Sequence, residues 1–133
     1  VVERGIQDVD SIANGLSALK SQGANILYMP TDNMLANNAA SVHSANINQD
    51  VKLPIVCGES SMNDKCGVAT YGVDYYKLGV MAGQMAFDIL VNGADPATMA
   101  VKTQEDGELS VRTDIAAAIG FTIPQSILDR AAE

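Results

Sequence analysis

The chain has 133 residues, 47% of them hydrophobic, with eight Lys and Arg against sixteen Asp and Glu and a net charge of −8. That length suits one domain able to bury its own core, and the acidic balance argues against nucleic acid and anionic membrane surfaces as partners. No apolar run approaches the length of a membrane span, and no secretory pattern opens the chain. Val1 is not a natural start residue, so the chain reads as a fragment or a mature piece.

In chain order, Val1 to Gln7 reads as an imperfect first strand, with Asp8 or Asp10 as the cap of a following helix. Ile12, Gly15, Leu16 and Leu19 recur at helical spacing, and Gly23 suits the residue after the helix. Ile26 to Met29 is an unbroken apolar run, the pattern of a strand buried on both faces of a parallel sheet. The chain then turns at Pro30, and Thr31 or Asp32 can cap a helix running through Leu35, Ala39, Ala40 and Val42 to about Asn48 to Asp50. His43 lies near the apolar face of that helix and reads as a partly buried, hydrogen-bonded histidine. Leu53 to Gly58 reads as a third buried strand, followed by Glu59, Ser60 and Ser61. The β-α-β-α-β order predicts an α/β fold with a parallel, doubly wound sheet and right-handed connections.

Cys66 to Asp74 favours a further strand, loosened by Gly67 and Gly72. The strongest periodicity follows in a helix from Tyr75, where Leu78, Met81, Ala82, Met85, Ala86, Ile89 and Leu90 form one face and Asn92 and Gly93 end it. Gly79 and Gly83 on this helix would let another backbone approach, and its methionines read as core fillers. Ala94 to Asp106 reads as a loop and Glu108 to Arg112 as an edge strand. Thr113 or Asp114 caps a small helix with Ile115, Ala118 and Ile119, closed by Gly120, and Pro124 opens a last helix, Gln125 to Ala132.

No nucleophile elbow, phosphate loop or metal-ligand cluster is present in the sequence, so no cofactor or metal is expected. What remains is a set of polar residues at strand ends: Thr31, Asp32 and Asn33; Glu59 and Ser60; Asp74 and Tyr75. In open α/β sheets ligands bind outside the carboxyl ends of the strands, where helix starts offer N–H groups. Each acidic residue has two readings, as a helix cap or as a ligand group; Asp74 could receive an ammonium group by a charge-assisted hydrogen bond. Cys57 and Cys66, nine residues apart, are either a disulfide in an oxidising compartment or two buried thiols.

Three stretches, PTDN at 30–33, ATYGVDYYKLG at 69–79 and IGFTIPQSIL at 119–128, resemble in order the signature segments of the ABC-transporter substrate-binding proteins, some of which are linked to aromatic amino-acid uptake. The resemblance covers nearly the whole chain. It implies a periplasmic-binding-protein type I-like lobe, with residues 1–133 as the C-terminal lobe of a two-lobed protein and 67–93 crossing to an N-terminal lobe that would precede Val1. Thr31, Asp32 and Asn33 would line one cleft wall, Glu59 would follow the next strand, and Asp74 would lie at a lobe crossing. One departure is Gly58-Glu59, where such proteins often show Ser-Asp. The resemblance further implies a small amino-acid-like ligand, an ABC permease as partner, and an exported, lipid-anchored full-length form. The helix at 75–92, without the first lobe, would drive self-association of the chain. A ligand-sensing domain of a transcriptional regulator or receptor shares the fold and is the competing reading. An enzyme of Rossmann-like architecture lacks support from any phosphate loop or acid–base pair.

Overall fold

A computed structural model describes residues 1–104 and 107–131. The end of the predicted loop at 105–106 and the last residue of the predicted final helix, 132, lie outside the described residues. Eleven elements follow in order: α1 (Ser11–Ser21), β1 (Leu27–Met29), α2 (Asn33–Asn37), α3 (Ala39–Asn48), β2 (Ile55–Glu59), α4 (Ser60–Cys66), β3 (Ala69–Val73), α5 (Tyr75–Leu90), β4 (Glu108–Val111), α6 (Thr113–Ala118) and α7 (Gln125–Ala131). The strands form one sheet in the order β1-β2-β3-β4, with the first three parallel and β4 antiparallel against β3. This is the expected α/β architecture: a mostly parallel sheet flanked by helices.

One face of the sheet carries the main core. Along β2, Ile55, Cys57 and Glu59 point inward and are buried, while Val56 and Gly58 face the other way and are half-buried. Ile12 and Leu16 of α1, Ala39 and Val42 of α3, and Met62 and Cys66 of α4 close over that inner face. A second cluster gathers Val68 with Ile115, Ala116, Ile119 and Ile123 beside β4. The α1 face is the one predicted, with Ile12, Gly15, Leu16 and Leu19 all buried. Gly23, at φ +86°, takes the left-handed conformation that ends the helix. The carboxylate of Asp8, not that of Asp10, accepts from Ser11 N at 2.8 Å.

Several expectations are corrected. Residues 1–7 form no strand; Ile6 packs on the core edge, and the neighbouring residues are exposed. Strand-like residues such as Val1, Val2 and Ile6 are not enough where no ladder partner is taken up. The strand at Ile26 to Met29 is not buried on both faces. It is the sheet edge, and Ile26 and Tyr28 are 54% and 65% exposed, with residues 1–6 beside them but not closing over them. The single helix expected from Asp32 onward is two, broken at Asn38, whose side-chain amide donates to Met34 O at 2.8 Å in competition with the helix ladder. In the small late helix Ala116 is buried and Ala118 exposed. Gly67 and Gly72 are not loose joints. A β-carbon on Gly72 would stand 2.9 Å from the Gly58 carbonyl oxygen, and one on Gly67 2.6 Å from Cys57 Sγ. Both glycines permit close packing rather than movement.

Buried Asn46 was not singled out by sequence. Its amide donates to Leu53 O at 2.8 Å and its carbonyl oxygen accepts from Leu53 N at 2.9 Å. These bonds hold the turn in which Asp50 and Lys52 adopt positive φ and deliver the chain into β2. The placement of the sheet's carboxyl edge therefore depends on α3.

Candidate functional site

Because β1, β2 and β3 run parallel, their carboxyl ends lie on one edge of the sheet. Each end passes into a helix: β1 into α2, β2 into α4 and β3 into α5. The strand ends touch. A β-carbon on Gly58 would lie 2.8 Å from Thr31 Oγ1 and 2.9 Å from Thr31 N, so Gly58 is what allows β1 and β2 to close together here. Between Cys57 and Glu59 the ladder to β3 shifts register, β3 taking one extra residue, and this brings Val73 opposite Glu59. Thr31, Asp32, Asn33, Glu59, Ser60, Asp74 and Tyr75 therefore all stand along this edge.

An acidic residue caps each of the three helices. Asp32 Oδ1 accepts from Leu35 N at 3.0 Å. Glu59 uses both oxygens: Oε1 accepts from Met62 N at 2.8 Å and from Ser61 Oγ at 2.7 Å, and Oε2 accepts from Ser61 N at 2.9 Å. Asp74 Oδ1 accepts from Tyr76 N at 2.9 Å and Lys77 N at 3.1 Å, while Oδ2 faces Lys77 Nζ at 3.3 Å. The Asp74 N–H donates to Gln104 Oε1 at 3.0 Å, which ties the start of α5 to the segment returning toward β4. These bonds hold carboxylates at helix starts, where the peptide dipoles favour negative charge.

The three caps differ in what they leave available. Glu59 is 4% exposed and its oxygens are committed to α4, so its carboxylate serves the fold. Asp32 is exposed, and among the described residues its Oδ2 takes no hydrogen bond. Asp74 is half-buried, and the N–H of Lys77 first, with the Lys77 ammonium and the Tyr76 N–H, lowers its pKa below the ordinary carboxylate value. It is a charged group with one oxygen directed at an exposed lysine rather than at backbone. Thr31, Asn33, Tyr75 and Tyr76, next to these two acids in the chain, are exposed, so hydroxyl, amide and aromatic groups stand along the same edge as two carboxylates with remaining acceptor capacity.

Helix α4 was missed by the sequence reading. Its seven residues are too few to show a period, but β2 and β3 are parallel, and a parallel connection needs a crossover. Glu59 is the start signal for that helix. A separate cavity of about 260 Å³ opens on the far side of β1, walled by Ile6, Ile12, Leu16 and Tyr28, with Arg4 and Asp32 at its rim. It meets the strand-end cluster at Pro30, Asp32 and Leu35. Its walls are mainly apolar, and it sits where residues 4–6 lie over α1 without sheet pairing, so it lies beside the candidate site rather than in it. Among the described residues no group of three His, Cys, Asp or Glu side chains could hold a metal ion, and no helix is long and apolar enough to cross a membrane.

The profile of one protein family, ABC transporter substrate binding protein, matches residues 1–133. A tyrosine-binding protein of Clostridioides difficile is 29% identical over 119 residues, which is 90% of this chain and 33% of that protein. A crystal structure of an ABC domain in complex with L-Trp from Streptococcus pneumonia superposes with a TM-score of 0.78 at 31% identity, over 95% of this chain and 41% of that one. A conserved domain protein from Vibrio cholerae gives a TM-score of 0.82 at 26% identity, over 98% of this chain and 43% of that one. A substrate-binding protein with adhesive properties from Clostridium difficile, solved ligand-free and open, gives 0.69 at 35% identity, over 93% of this chain and 41% of that one. The chain thus spans a third of the curated relative and about two fifths of the solved structures.

Proposed function

Because this chain belongs to the ABC transporter substrate-binding protein family, a family of solute binders rather than enzymes, we propose that it is the C-terminal lobe of a two-lobed importer component that captures an aromatic amino acid. The observation that carries this reading is the strand-end cluster. Asp32 and Asp74 stand on one sheet edge with carboxylate oxygens not spent on backbone, beside Thr31, Asn33 and Tyr75. An α-ammonium group needs a carboxylate acceptor, an α-carboxylate needs hydroxyl, amide or N–H donors, and an aromatic side chain stacks on a tyrosine ring. That the C. difficile relative is a tyrosine-binding protein and the S. pneumonia structure holds L-Trp supports the aromatic class.

In this reading Asp74 receives the ligand ammonium, Thr31 and Asn33 contact its polar groups, and Tyr75 borders the ring. Glu59 and Ser60 shape the floor, Glu59 through the α4 cap. Residues 67–93 cross to the other lobe, which closes the cleft. The full-length protein works outside the cytoplasm, held by a lipid anchor, and delivers ligand to an ABC permease. The lone chain, with half a cleft, binds ligand weakly or not at all and associates with a second copy through α5.

Calorimetric titration of the full-length protein tests the ligand class. L-tyrosine or L-tryptophan should give saturable one-site binding and L-leucine much weaker heat. No saturable heat with any aromatic amino acid would contradict the reading.

A further inference from the structure

Cys57 on β2 and Cys66, the last residue of α4, are each 1% exposed, and their sulfurs face one another at 3.9 Å inside the main core. No stronger partner holds either sulfur away: Cys66 Sγ lies 3.4 Å from Met62 O, a contact within its own helix. Gly67 packs so closely on Cys57 that a β-carbon there would stand 2.6 Å from the sulfur, and Gly67 N donates to Asn63 O at 3.2 Å, which closes the turn after α4 over the pair. A disulfide needs sulfurs that face each other across a short gap on backbones already held at the right separation. Here the two sulfurs, free thiols in this structure, face one another at 3.9 Å, and bonding closes that gap by about half.

We infer that Cys57 and Cys66 are a disulfide pair, joined by a disulfide-bearing oxidant before the core closes. One cysteine thiolate attacks a sulfur of the oxidant's disulfide, forming a mixed disulfide and releasing the oxidant's other sulfur as a thiolate. The second cysteine thiolate then attacks the first cysteine's sulfur, forming the Cys57–Cys66 bond and releasing the oxidant's remaining sulfur. The two cysteines lose two protons and two electrons, and the oxidant leaves as two thiols. The order of events follows from burial. In the folded chain both sulfurs are buried and neither is accessible to an oxidant. The bond is therefore set during folding.

The bond encloses residues 58–65, which include Glu59 and Ser60. It fastens α4 to β2 from below while the Glu59 carboxylate fastens it from above. The inference stands on the core geometry and is independent of the ligand reading.

Trypsin cleaves after Lys52, Lys65 and Lys77, so the two cysteines fall in separate peptides, 53–65 and 66–77. The full-length protein is unfolded in reductant, refolded with oxidised and reduced glutathione, denatured, alkylated and digested without reductant. The inference expects these two peptides as one linked species, lighter by two hydrogen atoms than their sum. Adding reductant should then lower Tm by roughly 5–15 °C, and the Cys57→Ala/Cys66→Ala double variant should show no such response. Recovery of both peptides as alkylated thiols from correctly refolded protein would overturn it.

Discussion

At Asp74 one carboxylate serves two ends: Oδ1 holds the first N–H groups of α5, and Oδ2 faces Lys77 Nζ. Asparagine caps a helix about as well as aspartate but carries no charge. Asp74→Asn in the full-length protein should therefore leave Tm nearly unchanged while weakening aromatic amino-acid binding on the order of tenfold or more, measured by calorimetry. Unchanged affinity would reduce Asp74 to a cap. The lowered pKa has a matching sign: the cap's contribution is present above the ordinary carboxylate pKa and is lost as pH falls through the folded value. That an acid follows each parallel strand was legible in the sequence; which acids remain available was not. Glu59 looks like a ligand group in the sequence, and only its placement opposite Val73, with Ser61 and Met62 folded back onto it, reveals both oxygens as occupied.

Among the elements, α1 and α5 were legible because each is long enough to show a period, and β2 because its apolar run lies between clear breaks. What escaped the sequence was decided by neighbours. Residues 1–7 carry strand-like composition but no ladder partner, the helix after Asp32 breaks where Asn38 bonds Met34, and α4 is too short to show a face. Helix α5 has the expected apolar stripe, yet none of its residues is buried, and Phe87 and Leu90 are 51% and 83% exposed. A fully buried side chain of the Leu or Met kind gains about 1.5–3 kcal/mol over an exposed one, so the half-covered Leu78, Met81, Met85 and Ile89, together with exposed Val80, Phe87 and Leu90, have a drive to find cover. The 133-residue chain should run as a dimer or larger by light scattering at micromolar concentration. A clean monomer with slow amide exchange along 78–90 would mean that α5 folds back on its own chain.

For the whole molecule, the chain belongs to a family whose compared members are two to three times as long. The sheet's carboxyl edge is its organised polar surface, and the apolar cavity beyond β1 is the competing location for a small molecule. The central claim is that an aromatic amino acid is held at that edge. Hydrogen exchange of the full-length protein with and without saturating L-tyrosine or L-tryptophan, whichever binds, separates the two locations most directly. The account predicts ligand-dependent protection at residues 59–62 and 74–77, beyond any at 31–35 that both locations share, with little change in α1. Protection confined to residues 4–6, 12–19, 27–28 and 31–35, with the starts of α4 and α5 unchanged, would contradict it.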